Sequence, residues 1–177
     1  MEGMRNQGVV LETRAPRRLN CTMEVMSKRD WDRLDRRVST IIVGDNCCNE
    51  ESLTELDLSG FVNLRELKVG NECFESVEEV RLAELAELES VEIGEYCFTW
   101  CRNTWDIAPN SECFFYLKNC PKLKSLKMGR YSFSDYTVIE IENVDALEVI
   151  EMGEMNEWSC EFSYASLELK SNEEERE

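Results

Sequence analysis

The chain has 177 residues, with 20 Lys/Arg against 37 Asp/Glu, a formal net charge of −17 and no histidine. That length fits one domain, and an acidic body repels phosphate backbones, which argues against nucleic acid as a partner. Without histidine there is no Ser-His-Asp triad, no Cys-His dyad, no His-ligated zinc and no imidazole base. No apolar run approaches the ~18 residues of a membrane-spanning helix, so no membrane insertion is expected.

Residues 1–20 carry Arg5, Arg14, Arg17 and Arg18 but no apolar core of a secretory signal. They show no periodicity and read as disordered or loosely attached. The expected location is cytoplasmic, and the reading applies equally to a piece of a longer protein. Nine cysteines and no C-x-x-C give a zinc ribbon or a thioredoxin-type site no support. They read as reduced thiols, and no metal or cofactor is expected. Asn20-Cys21-Thr22 matches a glycosylation acceptor, but without a secretory signal it reads as chance.

Charge is unevenly spread. Residues 1–37 hold nine Lys/Arg and six Asp/Glu, net +3, which leaves 11 and 31, net −20, for residues 38–177. Residues 21–37 place Met23, Met26, Trp31 and Leu34 among charges, as in a short amphipathic helix starting near Ser27 or Asp30. Such a segment is expected to cap the first turn of the repeats that follow.

Those repeats are aligned on glycine. The copies are Val38–Gly44, Leu64–Gly70, Leu88–Gly94, Leu123–Gly129 and Leu147–Gly153, with glycine spacings of 26, 24, 35 and 24. Self-similarity at a fixed period indicates a solenoid or array. In each copy the residues before the glycine alternate apolar and polar, as in a half-buried strand. A second alternating segment follows: Leu53–Leu58, Val77–Leu82, Cys113–Leu117, Thr137–Ile141 and Ala165–Leu169. Cys47-Cys48, Cys73-Phe74, Cys97-Phe98 and Ser132-Phe133 recur after the glycine, the cysteines reading as small buried hydrophobes. Phe61, Leu85, Cys120 and Val144 share a corner. The expected fold is therefore an all-β-rich solenoid over residues 38–171. It has about five coils of ~24 residues, two short strands in each, parallel stacked sheets and a short N-terminal helical cap. At ordinary strand spacing it would be roughly 24 Å long.

Two residues before each glycine stand Ile42, Lys68, Glu92, Lys127 and Glu151. Stacked in register, Lys and Glu alternate, and opposite charges on neighbouring strands favour that register; a charged recognition stripe is the other reading. The long spacing marks an insertion, residues 99–112, containing Trp100, Cys101, Arg102, Trp105, Ile107 and Pro109. Insertions in repeat proteins map to loops, often on the binding face, and Trp and Arg are favoured interface anchors. Phe114 and Tyr116 fall on outward positions of the next strand. Trp100, Arg102, Trp105, Phe114 and Tyr116 are thus the candidate partner-binding residues, unless the loop folds back and buries its own aromatics. The tail, residues 172–177, is acidic and reads as a solvated end or a polar cap.

The pattern L-x-x-L-x-[IVM]-G-x-x-[CS]-F with its second strand resembles the BspA-like class of leucine-rich-repeat proteins. The segment Phe115-Tyr116-Leu117-Lys118-Asn119-Cys120-Pro121-Lys122-Leu123-Lys124-Ser125-Leu126 is similar to members found in protists. The resemblance implies a leucine-rich-repeat solenoid with few helices, a protein-interaction role with surface adhesion in some members, and no catalytic residue. Three readings follow. The first is a non-enzymatic protein-interaction module. The second is a structural segment of a longer array or an adhesin-like antigen, with end-to-end self-association through uncapped edges. The third is a thiol-reactive protein acting through Cys101 beside Arg102.

Overall fold

The structure is a computed structural model that describes residues 21–99, 113–153 and 165–170. Residues 1–20, most of the insertion and the acidic tail lie outside the described residues, and with them Trp100, Cys101, Arg102 and Trp105. The chain is β-rich. Strands β1 (Thr22–Val25), β2 (Thr40–Val43), β4 (Glu66–Val69), β6 (Ser90–Ile93), β8 (Ser125–Met128) and β10 (Val149–Met152) form one sheet, in that order. Strands β3 (Glu55–Asp57), β5 (Glu79–Ala83), β7 (Phe114–Lys118), β9 (Val138–Glu142) and β11 (Ser166–Lys170) form the second. From β2 onward the chain alternates between the sheets, and every pairing is parallel. Parallel neighbours need a crossover; between β1 and β2 it contains only a short helix, and from β2 onward each contains a strand of the other sheet.

Alternation along the strands decides the faces. Ile41, Leu67, Val91 and Leu126 are in register and buried, as are Val43, Val69, Ile93 and Met128. Leu56, Val80, Phe115 and Ile139 of the second sheet join the same buried cluster. A slip of one residue would turn each apolar row outward, which is why the register is strongly specified. The leucine that opens each copy closes a corner: Leu64, Leu88 and Leu123 donate from their backbone N–H to Phe61, Leu85 and Cys120. The insertion does not interrupt the second sheet, since β5 pairs directly with β7.

The repeated glycines are required by close approach. None has positive φ. A Cβ on Gly129 would lie 2.5 Å from the Gly94 carbonyl carbon, and one on Gly94 would lie 2.7 Å from that of Gly70. Gly70, Gly94, Gly129 and Gly153 therefore each let one turn rest on the backbone of the turn before it. Left-handed positions fall two and four residues later, at Asn46, Glu72, Tyr96 and Tyr131 and at Cys48, Phe74, Phe98 and Phe133, and also after the second-sheet strands at Glu84, Asn119 and Asn143. Phenylalanine is costly in that conformation. It is held by backbone bonds to the preceding turn (Phe98 N–H to Cys73 O, 3.0 Å; Phe133 N–H to Cys97 O, 3.0 Å) and by a ring ladder with centroids 5.1 Å apart for Phe74–Phe98 and 4.7 Å for Phe98–Phe133.

Residues 21–37 contain a short helix that starts at Ser27, as expected, but also a strand that the sequence did not announce. They open with β1, whose parallel pairing to β2 extends the first sheet, and the helix α1 is only Lys28–Trp31. Ser27 starts it: its Oγ accepts from Asp30 N–H at 3.3 Å and donates to the Asp30 carboxylate at 2.8 Å. Trp31 then sets its ring edge-on to Phe74, 5.1 Å between centroids, and Leu34 packs on the same cluster. No helix among the described residues is long and apolar enough to cross a membrane.

Candidate protein-interaction surface

The second sheet turns one face to the core and one outward. On β7, burial of Phe115 and Leu117 leaves Phe114 and Tyr116 on the outer side, both half-buried. Their rings are near-parallel, 11° apart with centroids 5.9 Å apart. Register adds neighbours that sequence reading alone did not name. Phe114 lies between Glu79 and Val138, and Tyr116 between Arg81 and Glu140. The Arg81 guanidinium and the Lys118 ammonium each lie 5.2 Å from the Tyr116 ring centroid, within the range of cation–π attraction. Arg81 is paired with Glu79; Lys118 pairs with Glu140 and, at 3.7 Å, with Glu142. The hydrogen bond to Glu140 pushes the Lys118 pKa up, and the same bond draws the Glu140 carboxyl down. Burial, with Glu140 and Glu79 nearby, raises the Tyr116 phenol. The patch is thus an aromatic pair framed by cations whose carboxylate partners share the same face.

The described chain breaks off after Thr99 and resumes at Cys113, next to Phe114. Thr99 is buried with its hydroxyl bonded to Ser134 and Asp135. Cys113 is buried, and the first residue of β7 donates from Phe114 N–H to Glu78 O at 2.8 Å. Of the five candidate residues, the structure brings Phe114 and Tyr116 together; Trp100, Arg102 and Trp105 lie outside the described residues.

No family model, no curated protein and no solved structure matches this chain. Its functional reading therefore rests on its own residues.

Two further surfaces were not singled out in the sequence. Tyr96 and Tyr131 stack at 4.9 Å outside the core, with Arg130 5.9 and 5.6 Å from their centroids and paired to Glu95 at 3.3 Å. Asn46 and Glu72 occupy the equivalent places in other copies, so the pattern hid the aromatic pair. A polar groove of about 300 Å³ lies at the start of the first-sheet strands, between Thr22, Ser39, Thr40, Arg65, Glu66, Glu89 and Ser90. On that sheet Lys127 meets Glu151 at 2.8 Å as the alternating row expects. Lys68, however, pairs with Glu66 of its own strand at 3.0 Å, and Glu92 raises its pKa only as a more distant charge.

The cysteines do more than fill space. The Cys73 thiol donates to Gly44 O at 3.0 Å, the Cys97 thiol to Gly70 O at 3.0 Å, and the Ser132 hydroxyl, at the same position, to Gly94 O at 2.7 Å. The same side chains accept from the turn before: Cys47 N–H to Cys73 Sγ, 3.5 Å, and Cys97 N–H to Ser132 Oγ, 3.1 Å. Cysteine and serine interchange because each both donates and accepts there. Burial pushes the Cys48 thiol up to about 12 and the Cys120 thiol up to about 11, which keeps them protonated and unreactive near neutrality.

Proposed function

We propose that this chain is a leucine-rich-repeat solenoid that serves as a protein-interaction module, without catalytic activity of its own. The two alternating parallel sheets support a coil of two strands per repeat, and β1 with Trp31 supports a capping role for residues 21–37. The observation that carries the interaction reading is the Phe114–Tyr116 pair between Arg81 and Lys118, on the outer face of an acidic body. Aromatic anchors supply much of the free energy of protein interfaces, and surrounding charges set orientation and on-rate. The insertion, whose Trp100 and Trp105 are candidate anchors, rejoins the described chain at Cys113, one residue before Phe114.

A photo-crosslinking amino acid in place of Tyr116, or in place of Glu92 on the other sheet, tests the assignment in native extract. The expected result is a defined adduct from position 116 and none from position 92, reduced roughly tenfold by Phe114→Ser. Equal adducts from both sheets would remove the surface from consideration. The second reading, a segment of a longer repeat array, draws support from Ile150. This residue stands in the inward row yet is 43% exposed.

A further inference from the structure

The first sheet ends at β10 among the described residues. Val149 N–H donates to the O of Lys124, the residue before β8, so by alternation the backbone N–H and C=O of Ile150 and Met152 aim at the far edge. Ile150 is in register with Leu126, which is fully buried; Val149 is 44% exposed. The edge thus combines backbone groups that have no partner among the described residues with an apolar row whose last member, Ile150, is exposed.

The charge rows specify what would cover it. One runs Lys68, Glu92, Lys127, Glu151 in register. A second runs Arg65, Glu89, Lys124, Glu148, each adjacent pair joined by a backbone bond from the later residue to the earlier: Glu89 N–H to Arg65 O, Lys124 N–H to Glu89 O, Glu148 N–H to Lys124 O. Both alternate in sign, and both end on glutamate at β10. Glu148 and Glu151 are exposed, as is Asp145 in the preceding turn. A strand that continued both alternations would carry a cation opposite each glutamate and an apolar residue beside Ile150. A second copy of the chain, stacked head to tail, offers β1 instead. In register it places Cys21 opposite Glu148 and Glu24 opposite Glu151, one neutral residue and one like charge, and like charges directly opposite are destabilising.

We propose that the far edge of β10 is a docking site for a basic β-strand of a partner, added in parallel, with the pattern Lys/Arg-x-apolar-Lys/Arg-apolar. Main-chain bonds along the edge supply affinity, and the apolar and charged positions supply register. This site is separate from the aromatic face of the second sheet and does not depend on it.

The probe is a synthetic peptide of the chain's own residues 121–130, Pro-Lys-Leu-Lys-Ser-Leu-Lys-Met-Gly-Arg, which carries that pattern. Controls are a peptide of the same composition with the lysines moved by one position and the acidic peptide of residues 147–153. Binding to the full chain is read by fluorescence anisotropy. The expected result is binding of the patterned peptide alone, weakened roughly tenfold by Glu148→Gln/Glu151→Gln as two cross-strand charge pairs are lost. Tyr116→Ser should leave it unchanged, which separates failure here from failure of the aromatic surface. No binding, equal binding of the shifted peptide, or indifference to the glutamine substitutions would each overturn the proposal. So would a self-association that is abolished by Ile150→Lys and excludes the peptide, since a second copy would then own the edge.

Discussion

The two ends of the first sheet are built from the same strand pattern and finish differently. At the N-terminal end, β1 adds a strand beyond β2, Val25 and Val38 are fully buried, and Trp31 closes over Phe74. At the C-terminal end, Ile150 occupies the row that buries Leu126 and Leu67 and remains 43% exposed. Apolar residues at the right spacing therefore do not by themselves make core. A position in the row becomes buried only when something packs on both of its sides.

That comparison can be broken by substitution along one row. Leu126→Ala should cost about 3 kcal/mol, as a cavity in a packed interior, whereas Ile150→Ala should cost less than about 1 kcal/mol. Urea denaturation of both variants measures the difference, and equal costs would mean that the C-terminal end is closed in solution. The glycines sharpen it further. Gly129→Ala drives a methyl into the Gly94 backbone and should cost about 2 kcal/mol or more. Gly44→Ala, at the N-terminal end, meets the flexible Met26 side chain at 2.7 Å and Cys47 Sγ at an ordinary 3.6 Å, and should cost less than about 1 kcal/mol because the Met26 chain can move.

The ends should also answer to opposite extremes of pH. Near the N-terminal end, hydrogen bonds from Arg37 draw the Asp35 carboxyl from 3.8 to about 2. A carboxyl depressed on folding contributes stability above its unfolded value, lost as pH falls from 3.8 through about 2. Near the C-terminal end, the hydrogen bond to Glu151 raises Lys127 above 10.5. A raised lysine contributes stability fully present below its unfolded value, lost as pH rises through the folded one. NMR titration should show Asp35 returning towards 3.8 in Arg37→Gln and Lys127 returning towards 10.5 in Glu151→Gln, each without effect on the other. Both pairs are exposed, so the changes in stability should be small. A last comparison leaves stability untouched: a thiol reagent under native conditions should modify Cys21, which is exposed, and reach Cys47, Cys48, Cys73, Cys97, Cys113 and Cys120 only after unfolding.

Much of the strand pattern was legible because each copy carries its own punctuation, a leucine at the corner and a glycine at the turn, around two-residue alternation. β1 lacked both marks. Thr22–Val25 reads as a charged, helix-compatible stretch until β2 supplies a pairing edge. The outward setting of Phe114 and Tyr116 followed from alternation within one strand. The nearness of Arg81 did not, because it depends on pairing across the 35 residues that separate it from Tyr116. The cysteines announced burial by their residue type and position. Their hydrogen bonds to glycine carbonyls exist only because one turn rests on another.

The sequence by itself determined which residues face inward and where the chain turns, since both are local properties of a pleated strand and of a glycine that must admit a neighbouring backbone. Tertiary structure alone decided which charges meet. Lys68 goes to Glu66 of its own strand, although Glu92 lies next to it in register, while Lys127 does reach across to Glu151. Long side chains choose among partners of nearly equal energy, and such a choice is made by packing and solvent around each pair rather than by spacing along the chain.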